Sequence, residues 1–305
     1  MAVPGDGRVS ERDPRAVLRG AGLRPKKSFG QNFLVAEGIA RAIAVACVPD
    51  DEVGRAHVVE IGAGTGALTR LLAERAADVV AIERDRELVP LLERDPPGAN
   101  VRIVEGDAQT VDLAALLGPA APASSSSAAG AGAATPAAPR VLCGNLPYAI
   151  TGQLLRRATE LAPDGVDRVV FMVQEEVGDR LAAAPGSKEY GALTIFVRAA
   201  FDAKKVLRAG PGAFHPPPEV TSVVLELRPL RPPRARETPA FRAVVRAAFE
   251  ARRKTLRNAW RSLAPDLATL EAAAKTAGVS LDARGETLDV ESFARVAEAL
   301  AAATK

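Results

Sequence analysis

The chain is poor in cysteine and histidine, with two of each among 305 residues. Cys47 and Cys143 cannot make a disulfide framework, and His57 and His215 leave little for a metal site. Aromatic residues make up only 4%, and no stretch approaches the ~20 uninterrupted apolar residues that a membrane-spanning helix needs. The segment from Met1 to Arg15 is polar and charged, with nothing that resembles a secretory leader. These lacks predict a cytoplasmic protein with no structural metal and no membrane association. What is present is ordinary for a globular chain: 48% apolar and 25% charged residues exclude wholesale disorder. The length suits one large domain and a smaller one.

Net charge is only +3, but it is unevenly placed. Between Arg228 and Arg261 there are eleven basic residues against two acids, Glu237 and Glu250; between Arg8 and Lys27, seven against two. Basic blocks towards both ends of a balanced chain suggest a polyanion footprint, with nucleic acid the obvious candidate.

Apolar runs alternate with helical patterns through the first three-quarters. Strands are predicted at His57–Ile61, Asp78–Ile82, Val101–Val104, Val141–Cys143, Arg168–Val173, Phe201–Leu207 and Thr221–Arg228, with helices such as Ala67–Arg75 and a Thr151-capped Gly152–Leu161 between them. Most of these strands are continuously apolar, as in parallel sheets covered on both faces. Doubly wound α/β architecture follows. Residues 118–139 are all Gly, Pro, Ala, Ser or Thr and read as a low-complexity loop inserted between two strands. Prolines 229, 232, 233 and 239 mark a domain boundary. Beyond it the pattern is helical, with Phe241, Val245, Phe249, Leu256 and Trp260 on one stripe and Arg242, Arg246, Arg253 and Arg257 on another face.

The clearest local chemistry lies in Glu60-Ile61-Gly62-Ala63-Gly64-Thr65-Gly66, where an apolar strand runs into a glycine-rich turn that opens a helix. Its G-x-G-x-G spacing is neither the dinucleotide fingerprint nor the phosphate loop, and no lysine follows to meet a phosphate. Glu83 ends the second strand, placed for two ribose hydroxyls, and Asp107 ends the third on the same rim. Glycine turn, ribose carboxylate and second acid describe an adenosine pocket without phosphate-binding features. S-adenosylmethionine is therefore preferred over NAD or ATP.

The fourth strand ends in Asn145-Leu146-Pro147-Tyr148, which is similar to the Asn-Leu-Pro-Tyr signature of methyltransferases acting on exocyclic amino groups. Adenine N6 is a poor nucleophile because its lone pair is delocalised into the ring. An amide oxygen from Asn145 and the Leu146 carbonyl, held before rigid Pro147, would accept its two N–H bonds and favour a tetrahedral nitrogen. Tyr148 offers a face on which an extruded base can stack.

With these motifs in order, the sequence resembles the ribosomal RNA adenine N6,N6-dimethyltransferase family. Lys26-Lys27-Ser28-Phe29-Gly30-Gln31-Asn32-Phe33-Leu34, Gln174-Glu175-Glu176-Val177, Tyr190-Gly191-Ala192-Leu193 and Phe214-His215-Pro216-Pro217-Pro218-Glu219-Val220 carry the same resemblance. It implies a seven-stranded class I methyltransferase (Rossmann-like) sheet with a small C-terminal helical domain. Cofactor contacts would fall on Asn32, Leu34, Gly62, Glu83, Asp107 and Asn145. The catalytic set would be Asn145, Leu146, Pro147, Tyr148 and Phe214, the last stacking on the target base opposite Tyr148. The implied substrate is two adjacent adenosines near the 3′ end of small-subunit rRNA within a pre-ribosomal particle, modified by a monomer. A large-subunit rRNA dimethylase of the antibiotic-resistance type and a non-catalytic assembly factor are the alternatives. The expected domains are a disordered basic extension over 1–24, a catalytic domain over 25–230 and a helical RNA-binding domain over 238–305.

Overall fold

The computed structural model describes residues 12–118, 137–162, 164–250 and 252–303. Nine strands occur among them: β1 (Phe33–Leu34), β2 (His57–Ile61), β3 (Asp78–Glu83), β4 (Val101–Glu105), β5 (Arg140–Asn145), β6 (Arg168–Gln174), β7 (Phe201–Ala209), β8 (Phe214–His215) and β9 (Ser222–Pro229). Seven form one sheet in the order β4-β3-β2-β5-β6-β9-β7, while β1 and β8 pair antiparallel in a separate ribbon. The seven predicted strands are the seven of the sheet, each within two residues of its expected ends. β2 pairs in parallel with both β3 and β5, and the parallel ladder continues to β4 on one side and β6 on the other. Strand order reverses between β2 and β5, which is where open α/β sheets bind ligands at their carboxyl edge.

Helices α1 (Pro14–Gly20), α2 (Glu37–Cys47), α3 (Ala67–Ala73), α4 (Val89–Arg94), α5 (Leu113–Leu117) and α6 (Thr151–Leu161) are followed by α7 (Glu175–Ala182) and α8 (Ala192–Ala200). The C-terminal set is α9 (Pro239–Glu250), α10 (Leu256–Ala259), α11 (Leu267–Ala277) and α12 (Val290–Ala303). The chain divides into two compact units. The first comprises Met1–Leu154, Asp164–Glu175 and Lys205–Glu226; the second comprises Leu155–Pro163, Glu176–Lys204 and Leu227–Lys305. In the first, the central strands are buried along nearly their whole length, with Val58, Val59, Val141, Leu142, Val169 and Val170 all inaccessible. In the second, Tyr190, Phe196, Phe241, Trp260 and Phe293 form the core, Trp260 meeting Phe293 edge-on at 6.2 Å. Trp260 donates its indole N–H to the Val244 carbonyl at 2.8 Å, so its burial leaves no unsatisfied donor.

Three expectations are corrected. Residues 12–24 are not uniformly disordered: Asp13 caps α1 by accepting from the Arg15 amide, Pro14 opens it, and Leu18 packs with Phe33 and Leu88. Thr151 is not the cap of α6 but its first residue, and its hydroxyl donates back to the Pro147 carbonyl at 3.2 Å. The arginine stripe is not one helical face, because α9 ends at Glu250 and α10 begins at Leu256. The rest of the 1–24 expectation, and residues 119–136 of the inserted loop, lie outside the described residues.

Candidate active site

At the carboxyl edge of β2, β3 and β5 lies a cavity of about 270 Å³. Its floor is the turn after β2, where Gly62, Gly64 and Gly66 adopt φ of +76°, +59° and +80°. A side chain would be strained at each, and a β-carbon would also crowd the Phe33 ring at Gly64 and both Leu92 and Pro97 at Gly66. Asn32, Leu34, Gly62, Glu83, Asp107 and Asn145 all line this cavity, as do Leu146, Pro147 and Tyr148. Residues 113 positions apart in sequence are thus brought together: the Asn145 amide Nδ2 donates to the Asn32 carbonyl at 2.9 Å.

That bond decides which way the amide faces. A backbone carbonyl only accepts, so Nδ2 must point to Asn32 and Oδ1 must point away from it. An acceptor is thereby presented next to Leu146, whose own amide is tied to the Met172 carbonyl of β6 at 3.1 Å. Tyr148 is steadied by a 2.8 Å hydrogen bond between its hydroxyl and the buried Ser222 hydroxyl. Gly144, just before this motif, is a requirement that the sequence reading missed. A β-carbon there would collide with the Ile61 carbonyl of β2, so only glycine lets β5 run this close.

Glu83 is buried, and its carboxylate accepts the Gly64 amide on Oε2 at 2.7 Å and the Asp85 amide on Oε1 at 2.8 Å. Burial raises its pKa despite those backbone donors. The Arg84 amide also faces the carboxylate, and the acceptor capacity that remains is open to a hydroxyl donor. Asp107 is ion-paired to Arg84 at 3.2 Å and accepts the Gln109 amide at 2.9 Å. Glu60, in the midst of β2, also lines the cavity, is 1% exposed and leaves Oε2 without a partner. Burial pushes its pKa up to about 7, the nearby Thr69 hydroxyl opposing and the Glu83 charge adding. Its signal in the sequence was a lone acid in an apolar strand. Asp85 is the other missed group: burial works to raise its pKa, but Lys26, the Glu87 amide and Gln31 together hold it below the ordinary value.

Phe214 lies beside this site in the β1–β8 ribbon. It does not line the cavity; β8 pairs with β1 in the register Leu34↔Phe214, and its ring is 4% exposed in the core cluster that includes Leu34. His57 lies away from the cavity, held between Asp78 and the Leu116 carbonyl. Among the described residues no helix is long and apolar enough to cross a membrane, and no group of three or more His, Cys, Asp or Glu is placed to hold a metal.

A protein of Myxococcus xanthus named ribosomal RNA small subunit methyltransferase A is 44% identical over 295 residues, covering 94% of this chain and 95% of the other. Its Geobacter sulfurreducens namesake is 41% identical, covering 94% and 99%. The crystal structure of a dimethyladenosine transferase from Plasmodium falciparum shares the fold, with a TM-score of 0.69 at 23% identity over 87% of this chain and 95% of that one. The 23S rRNA methyltransferase ErmE gives 0.60 at 25% identity, over 88% and 100%. Residues 22–302 match the family described as ribosomal RNA adenine dimethylase, and the chain belongs to that family.

Proposed function

We propose that this protein transfers methyl groups from S-adenosylmethionine to N6 of two adjacent adenosines near the 3′ end of small-subunit rRNA, twice at each. It acts as a cytoplasmic monomer on a pre-ribosomal particle. The observation that carries the chemistry is the Asn145 amide, turned by the Asn32 carbonyl so that its oxygen is the group on offer. Small-subunit rRNA is favoured because the curated relatives at 40–44% identity bear that substrate in their names, against 25% for the large-subunit enzyme.

The residues present suit the cofactor. The glycine turn would admit its adenosine close to the backbone, Glu83 would take the ribose hydroxyls and Asp107 the base, with Asn32, Leu34 and Gly62 completing the contacts. When bound, S-adenosylmethionine supplies an electrophilic methyl group on a sulfonium. Asn145 Oδ1 and the Leu146 carbonyl accept the two N–H bonds of the target amine and bring its lone pair out of conjugation. Pro147 keeps that carbonyl in place, and the Tyr148 ring supports the extruded base. Both groups accept hydrogen bonds without abstracting a proton, since a neutral nitrogen attacks and the proton leaves the cationic product afterwards. Catalysis is mostly positioning and exclusion of water.

Mass spectrometry of rRNA from cells with and without the gene tests the reading. Loss of dimethyladenosine from small-subunit rRNA is expected; loss from the large subunit, or from neither, overturns it. Asn145→Ala should lower methyl transfer by about 10²-fold or more, the scale seen when one preorganised hydrogen-bonding group is removed from a transition state. RNA affinity in a filter-binding assay should stay unchanged.

A further inference from the structure

The segment carrying Asn32 is short and holds itself together weakly. Residues 26–32 contain one 3-10 turn, Lys27–Phe29, and a left-handed Gly30. At the sheet edge it meets Glu87 through Lys26 at 2.7 Å, Arg84 over the Phe29 ring at 5.3 Å and the Asn145 amide at Asn32, but the one buried carboxylate that grips it at both ends is Asp85. Asp85, two residues beyond Glu83, is 3% exposed. Its Oδ1 accepts from Lys26 Nζ at 2.6 Å and from the Glu87 amide at 3.1 Å, and its Oδ2 accepts from Gln31 Nε2 at 2.7 Å. Gln31 Oε1 in turn accepts the Lys26 amide at 2.8 Å, closing a ring around the carboxylate. Asp85 donates its own amide to Glu83.

We infer that Asp85 is a positioning residue for methyl transfer. It holds residues 26–32 at the cavity so that the Asn32 carbonyl can set the direction of the Asn145 amide. The inference rests on the reading that Asn145 accepts from the target amine. A terminal segment that merely needed tethering could be held by any surface ion pair. Here both oxygens of a buried carboxylate are committed, one to each end of the 26–31 span, and the next residue along is Asn32. Charge-assisted bonds of this kind are stronger and more directional than neutral ones, so the register of the segment is strictly set.

Asp85→Asn, Gln31→Leu and the double variant test this in the full chain. Asparagine keeps the shape but replaces one oxygen by an NH2 donor, which then faces the Lys26 ammonium or the Gln31 amide donor instead of accepting from it. Trypsin cleavage after Lys27, followed by mass spectrometry without cofactor, should quicken about tenfold, as loss of a charge-assisted bond predicts. Turnover at saturating S-adenosylmethionine, on small ribosomal subunits from a strain lacking the gene, should fall by a similar factor. The double variant should be no worse than the poorer single one, since both act on one link. If Asp85→Asn fails to fold, Lys26→Met breaks the same link from a partly exposed position and should show both effects more weakly. Wild-type cleavage or wild-type turnover in the folded variants, or additive losses in the double, would overturn the inference. Wild-type protein inactive on such subunits would instead overturn the functional reading, while the cofactor-free cleavage rates would still show whether Asp85 holds the segment.

Discussion

Glu60 is the side chain in the cavity whose charge state is least settled by habit. Its folded-state pKa of about 7, against an ordinary 4.5, means that the folded protein keeps a proton that the unfolded chain has already released. The corresponding stability is fully present below pH 4.5 and is lost as the pH rises through 7, a change on the order of 3 kcal/mol for a group this buried. Glu60→Gln should flatten that slope in urea titrations run from pH 5 to 8. A cationic cofactor in the same cavity favours the ionised form, so binding near pH 6.5 should release a proton in the wild type and none in Glu60→Gln. Calorimetry in two buffers of different ionisation enthalpy measures this directly. The acid itself was visible in the sequence. Its proton was not, because the desolvation comes from strands and turns that meet only in the fold.

Helices show the same division. The apolar stripe from Phe241 to Trp260 was legible, and Phe241, Val245, Leu256 and Trp260 are indeed buried. The arginines alongside were not, since the break between α9 and α10 sends them in different directions. Arg242 reaches Glu237 at 3.7 Å, and Arg257 pairs with Glu271 and, at 3.6 Å, with Asp282. Arg246, Arg253 and Lys254 are exposed. Changing these three to Gln should therefore weaken RNA binding and flatten its dependence on salt, by up to about 0.9 for each phosphate no longer neutralised on duplex and 0.7 on single strands. Arg242→Gln and Arg257→Gln should leave the slope unchanged and lower thermal stability slightly, as surface pairs do. Affinities measured across a salt series separate the two groups.

For the whole molecule, Pro229 to Pro239 reads as a boundary, yet the second compact unit also takes in Glu176–Lys204. Tyr190, Ile195 and Phe196 from that segment belong to the same core cluster as Phe241 and Phe293, and the Tyr190 hydroxyl donates to the Leu288 carbonyl at 2.9 Å. A fragment of residues 238–305 should then fail to fold alone, showing weak helical dichroism and no cooperative melt, because part of its core would be absent. A cooperative transition in that fragment would show that its own helices suffice.

Strand positions, the glycine turn, Glu83, Asp107 and the Asn145–Tyr148 motif were all determined by the sequence itself. Each depends on neighbours within a few residues: runs of apolar side chains that must be covered, or a turn that only glycine allows. Tertiary structure alone decided the orientation of the Asn145 amide, the pairing of Phe214 with Leu34 and the burial of Asp85 between Lys26 and Gln31. In each of these the deciding partner lies far along the chain, and only the folded sheet edge brings it within hydrogen-bonding or packing distance.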